Sequence, residues 1–244
     1  MLAALKAVTR TLGVYSLARS IYRRVHPGHR RERSCNLQFY RQLVRPGDLC
    51  FDIGANVGQT TEAMRALGAT VVAVEPNPHC IPVLQSQFGR DAGVRLIQKA
   101  IGAAPGRAEL HFRGTDSTAS IRSDWPFPAD QHVGVEVTTL DDLIREFGRP
   151  RLIKVDVEGF ELEVFKGLGQ PVPLLYFEMH GQELAAVTAI LERLASVGDI
   201  EGLNAVDAEN ASWLLDRWVK PGEFLAALGS PPPHRANVVV RMRT

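Results

Sequence analysis

Two carboxylates and two glycines carry the first chemical signal in this chain. Asp52 closes a short apolar run over residues 49–53, and Gly54 and Gly58 follow it before a helix-forming stretch begins at Thr60. Glycines in such a loop let the backbone turn sharply and approach a ligand, while the free N–H groups of the next helix face whatever lies above. Gly54, Ala55, Asn56 and Gly58 thus read as a cradle for a small molecule. A dinucleotide fingerprint would need glycine where Asn56 stands, and no Gly-Lys-Ser/Thr follows to hold a nucleoside triphosphate. Asp52 repels phosphate and attracts an ammonium group. Glu75, at the end of the next apolar run over residues 70–74, sits where a carboxylate can accept both hydroxyls of a ribose. A ligand with a ribose and an ammonium group and no phosphate is S-adenosylmethionine. The competing role for Asp52 and Glu75 is capping of the helices that follow them.

These residues need elements that bring them together. Apolar runs of strand length alternate with helical patterns: strand 49–53, helix to 67, strand 70–74, helix 81–88, strand 94–100, helix 140–147, strand 151–157, helix 161–168, strand 174–179 and helix 183–196. The alternation implies a parallel sheet with right-handed crossovers. Residues 199–206 and 237–242 read as the last two strands. Ligands of an open parallel sheet bind outside the carboxyl ends of its strands, which selects Asp52, Glu75, Ala100, Asp156 and the run from Glu178 to His180. A carboxylate at the last buried position of its strand is costly without a partner, which favours Asp156 over Glu158 and Glu161, either of which can simply stabilise the next helix. His180 is the candidate general base, Asp156 its companion for orienting cofactor or acceptor, and Glu178 a partner for the imidazole. The same three side chains could instead hold a divalent ion, although the expectation is no metal. His79 and His111 read as structural.

Residues 106–138 interrupt the alternation. Two period-two runs flank Ser117–Ser120 and the stiff Trp125-Pro126-Phe127-Pro128, so a β-hairpin-like insertion over the cleft is expected. Its aromatic and proline-rich part could wall an acceptor.

In order along the chain, Phe51-Asp-Ile-Gly-Ala-Asn-Val-Gly58, Val74-Glu-Pro-Asn-Pro78, Lys99-Ala-Ile-Gly102, Thr139-Leu-Asp-Asp142 and Ile153-Lys-Val-Asp-Val-Glu-Gly-Phe-Glu161 resemble the FkbM family of S-adenosylmethionine-dependent methyltransferases. The resemblance spans roughly residues 40 to 180. It implies an α/β class I methyltransferase, Rossmann-like, with a mostly parallel seven-stranded sheet whose last strand is antiparallel. With Pro76, the cofactor set is Asp52, Gly54, Ala55, Asn56, Gly58, Glu75, Ala100 and Asp156. The resemblance also implies O-methylation of a hydroxyl on a sugar, a glycan or glycolipid, or a polyketide-type acceptor. An N- or protein methyltransferase, a non-catalytic membrane-associated scaffold and an NAD-dependent dehydrogenase are the alternatives, the last opposed by Asn56.

Composition bounds these readings. At 244 residues and 45% hydrophobic content, the chain suits one α/β domain over residues 35–244 with an N-terminal extension over 1–34. A net charge of +1 argues for no nucleic-acid partner. Cys35, Cys50 and Cys80 form no paired motif and suit a reducing, cytoplasmic setting. The extension carries eight basic residues against Glu32 alone, leaving 20 basic and 26 acidic residues in the remainder. Apolar positions in residues 1–25 recur at helical spacing, which predicts an amphipathic helix that either lids the domain or rests peripherally on an anionic membrane. Residues 27–34 read as a linker and 37–43 as a short helix. Oligomeric state leaves no mark in the sequence.

Overall fold

The computed structural model describes residues 27–112, 119–121, 131–180, 184–229, 231–233 and 235–244, with backbone alone for 27–32 and His180. The amphipathic stretch 1–25 and Trp125–Pro128 lie outside the described residues.

Five mostly apolar runs form the parallel part of a seven-stranded sheet: β1 (Leu49–Ile53), β2 (Thr70–Val74), β3 (Val94–Ile97), β8 (Leu152–Val155) and β9 (Leu174–His180). Two later strands, β10 (Ile200–Asp207) and β11 (Arg235–Met242), complete it in the order β10-β11-β9-β8-β1-β2-β3. β11 slots between β9 and β10 and runs antiparallel to both, as expected.

Alternate residues of the central strands feed opposite layers, because successive side chains of a strand point to opposite faces. Phe51, Ile53, Ile153, Val155, Leu175 and Phe177 face one layer, closed by α4 (Leu140–Phe147), α5 (Glu161–Lys166), α6 (Leu184–Ala195) and α7 (Pro221–Ala227). Cys50, Val71, Ala73, Leu152 and Leu174 face the other, closed by α1 (Pro27–Tyr40), α2 (Gln59–Ala66) and α3 (Ile81–Phe88). α6 shows why such segments become helices: Val187, Ile190, Leu191 and Leu194 fall on one stripe and are all buried. α4 starts at Thr139, whose side chain accepts from the Asp142 N–H while Asp142 accepts from the Thr139 N–H, a reciprocal cap.

The structure departs from the sequence expectations in three places. Residues 27–34 are helical and continuous with 35–40 as α1, so the expected linker is absent. Proline is at home in the first turn, where its missing N–H costs nothing, and arginines propagate a helix well. Arg33 pairs with Glu62 of α2 at 2.9 Å, and Phe39 and Tyr40 are buried at the helix end. Next, the strand expected over 94–100 splits. β3 ends at Ile97, and β4 (Ala100–Ile101) joins a second sheet. Ala100 therefore opens a new strand instead of ending the third. Finally, the insertion is more than a hairpin: β5 (Gly106–Phe112), β6 (Ala119–Ser120) and β7 (Gln131–Thr138) combine with β4 in a four-stranded sheet ordered β4-β7-β5-β6. Its core is the expected antiparallel pair, with Gly106 opposite Val137 and Phe112 opposite Gln131. No helix among the described residues is long and apolar enough to cross a membrane.

Candidate active site

A cleft of about 630 Å³, open to solvent, lies at the carboxyl ends of β1, β2 and β8. Its floor is Ile53, Gly54, Asn56, Val74, Glu75 and Pro76 on one side and Asp156, Val157, Glu158 and Phe160 on the other. Lys99, Ala100 and Ile101 of the β3–β4 crossing and Leu110, Ala119 and Ile121 of the second sheet supply the opposing wall.

The turn after β1 is shaped by its glycines. Gly54 has φ +75°, and a Cβ there would lie 1.8 Å from the Asp156 carbonyl oxygen, so the strand ends of β1 and β8 can meet only through glycine. Gly58, at φ +85°, backs onto Phe88 and Leu84 of α3. Asn56 between them is also left-handed, at φ +51°. Ala55 is buried in the layer beneath.

Glu75 is fixed on both oxygens: the Asn56 N–H donates to Oε2 at 2.7 Å and the Asn77 N–H to Oε1 at 2.8 Å. Burial pushes its carboxyl up to about 7, against the opposing pull of those two N–H groups and of Lys154. Each carboxylate oxygen keeps a second lone pair, so the group can still accept hydroxyl donors from the cleft. Asp52 lies a layer lower. It is fully buried, its Oδ2 accepts from the Thr61 hydroxyl at 2.6 Å, and Lys154 Nζ stands 3.4 Å from its Oδ1. Neither acid caps a helix, since α2 and α3 start at Gly58 and Cys80 without a side-chain cap.

At the end of β8, Asp156 faces the cleft with 42% of its side chain exposed, and its Oδ2 is 3.4 Å from Lys154 Nζ. Glu158 lines the cleft at φ +56°, and its carbonyl accepts from the Ser120 hydroxyl at 2.9 Å, tying the second sheet to this loop. Burial, then the neighbouring charges of Asp156, Glu178 and Glu161, push its carboxyl up to about 7. Glu161 serves the loop instead of the cleft: its Oε1 accepts from the Val157 and Gly159 N–H groups at 3.1 and 3.2 Å. Its carboxyl also rises to about 7, chiefly through burial. Glu178 accepts from Arg235 of β11 at 2.8 Å, a pairing the sequence did not suggest. His180 ends β9 with its backbone opposite Arg235, and its side chain is not among the described groups. Among the described residues, no three His, Cys, Asp or Glu side chains converge as a metal ion would require.

Of the sequence-selected residues, Gly54, Asn56, Glu75, Pro76, Ala100 and Asp156 come together in the cleft, whereas Asp52, Ala55 and Gly58 support it from behind. Sequence reasoning missed Lys154. A lysine in the middle of the buried run Leu152–Val155 needs a partner, and the burial argument applied to Asp156 would have found it.

A mostly parallel sheet with its seventh strand inserted antiparallel between the fifth and sixth, and a glycine turn facing an acid at the end of the second strand, defines the class I S-adenosylmethionine-dependent methyltransferase architecture. Residues 52–200 match the Methyltransferase FkbM domain, and the chain belongs to that family. It is 29% identical over 163 residues to the hexuronic acid methyltransferase AglP of Haloferax volcanii, covering 64% of this chain and 66% of that protein. It is 29% identical over 154 residues to the methyltransferase sdnD of Sordaria araneosa, covering 49% and 60%. The aligned part thus spans just under two thirds of the first relative's length and three fifths of the second's. A TehB-like SAM-dependent methyltransferase from Corynebacterium glutamicum superposes with a TM-score of 0.45 at 12% identity, over 86% of this chain and 88% of that one. S-adenosylmethionine is the expected cofactor. The fixed Glu75 carboxylate, the glycine turn and the cleft that both face fit it.

Proposed function

We propose that this protein is an S-adenosylmethionine-dependent methyltransferase acting on a hydroxyl of a sugar, glycan, glycolipid or polyketide-type acceptor. The observation that carries the proposal is the buried Glu75 carboxylate, held by two backbone N–H groups at the mouth of a glycine turn that no side chain could replace. Family membership supports methyl transfer, and the likeness to a hexuronic acid methyltransferase supports a sugar-type acceptor.

Bound S-adenosylmethionine supplies an electrophilic methyl group on a sulfonium. The residues of this chain then have three tasks. Glu75 would accept the ribose hydroxyls, with Pro76 and Ala100 lining the cleft beside it and the Gly54–Asn56 turn approaching closely. Asp156 orients cofactor or acceptor from the end of β8. Leu110, Ala119 and Ile121 of the second sheet keep water from the reacting atoms. An in-line displacement gains most of its acceleration from alignment at near-attack distance, so this holding accounts for most of the catalysis. A hydroxyl acceptor must also lose its proton, and His180 at the end of β9 is the assigned base, with Glu178 nearby on the same strand.

The test is incubation of the full chain with a metabolite extract and methyl-labelled S-adenosylmethionine, reading acceptors that gain one labelled methyl group. His180→Ala is expected to lower turnover by roughly 10²–10⁴-fold with cofactor affinity unchanged. EDTA is expected to have no effect. Unchanged turnover in His180→Ala would remove the base assignment, and EDTA inhibition reversed by magnesium would replace it with a metal-assisted mechanism.

A further inference from the structure

All four residues of β8 are buried, and one of them is Lys154, the only cationic side chain among the described residues to be so. Register places Asp52 of β1, Lys154 of β8 and Tyr176 of β9 side by side, so they form one row on one face of the sheet. The row before it, Cys50, Leu152 and Leu174, is apolar and packs into the core. A polar row directly below the cleft thus interrupts an otherwise hydrophobic face.

The lysine reaches two segments at once. Its Nζ donates to the Gly54 carbonyl at 2.9 Å and stands 3.4 Å from both Asp52 Oδ1 and Asp156 Oδ2. Asp52 Oδ1 is buried and makes no hydrogen bond, so Lys154 is what compensates its charge. The titratable groups facing Lys154 are Asp52 on β1, Glu75 after β2, Asp156 after β8 and Tyr176 on β9, and Tyr40 of α1 packs on Tyr176 at 6.0 Å between ring centroids. Burial pulls the lysine's proton affinity down, yet Asp156 and Asp52 outweigh it and keep the ammonium charged. A buried ion pair of this kind contributes little net stability over a well-packed apolar row, so its presence points to the site above it.

We propose that Lys154 is a positioning residue of the cofactor site that acts through Asp52: by neutralising that buried carboxylate it lets the Gly54 turn of β1 and the Asp156 end of β8 keep their places above it. The proposal rests on the reading that this cleft binds S-adenosylmethionine. Gly54 and Asp156 are already in backbone contact, and the lysine adds a side-chain tie across the same junction.

Calorimetric titration of S-adenosylmethionine into four full-length chains tests it: wild type, Lys154→Met, Asp52→Asn, and the double variant, each checked for folding by thermal melt. Wild type must bind; if it does not, the cofactor reading fails and not this inference alone. Lys154→Met is expected to weaken binding by about tenfold or more, as loss of a hydrogen-bonded charged group does. Adding Asp52→Asn is expected to recover most of that loss, because the carboxylate that the lysine balances is then neutral. A Lys154→Met chain that does not fold, beside a double variant that folds and binds, supports the proposal equally. Undiminished binding by Lys154→Met, or a double variant no better than the single one, overturns it, since lost packing of the lysine stem would not be repaired by changing Asp52.

Discussion

Glu75 combines burial, two fixed backbone donors and a carboxyl pushed up to about 7, so its charge changes near neutral pH. The ionised form accepts ribose hydroxyls as charge-assisted hydrogen bonds, which are stronger than neutral ones. As pH falls through about 7 the group takes up a proton, and affinity for S-adenosylmethionine is expected to fall with it. Glu75→Gln should bind more weakly by roughly 1–3 kcal/mol at alkaline pH and should lose the step near neutrality. Titrations across this range in both chains provide the check, and a wild-type affinity without that step would remove Glu75 from the ribose. At this scale the sequence led to the cleft through the charges at two strand ends, Glu75 and Asp156, whereas Asp52 lies beneath it. Lys154 carried a signal in its buried run, but its partner Asp52 and the Glu178 partner of Arg235 come from other strands, and pairing across a sheet leaves no local mark.

The strand ends of β1 and β8 touch through Gly54, and this junction is the element on which the cleft depends. Gly54→Ala places a Cβ against the Asp156 carbonyl at a φ of +75°, a conformation that costs of order 1–3 kcal/mol for other residues even without a clash. The variant is expected to melt at lower temperature and to lose cofactor binding, measured by thermal melt and calorimetry. Normal binding would mean that the turn has another conformation. Glycine spacing made this turn legible in the sequence. The fate of residues 94–101 was not legible, because an apolar run looks the same whether it continues one strand or passes from one sheet to another. The short β6 lacks the length for a pattern, so the insertion read as a hairpin.

Across the molecule, burial raises three carboxyls, Glu75, Glu158 and Glu161, from 4.5 to about 7. A raised carboxyl favours the folded state most below its unfolded value, and that contribution is lost as pH rises through the folded one. The cofactor-free chain should therefore melt at lower temperature at about pH 8 than at about pH 5.5, and a melting temperature that rises over this window would contradict the burial of these groups. The parallel sheet was legible from the alternation of mostly apolar runs and helical stripes, and its seven strands with an antiparallel last one from the family resemblance, whereas the order of the strands left no mark in the sequence. The linker expected before residue 35 was misread because a Pro-Gly pair signals a turn as readily as the first turn of a helix. The central claim is that this architecture holds S-adenosylmethionine. Its most direct test is calorimetric titration of the full chain with S-adenosylmethionine and, separately, with NADH. Saturable binding of the first, weakened by Glu75→Gln, with none of the second is the predicted result; binding of NADH with no heat from S-adenosylmethionine would contradict it.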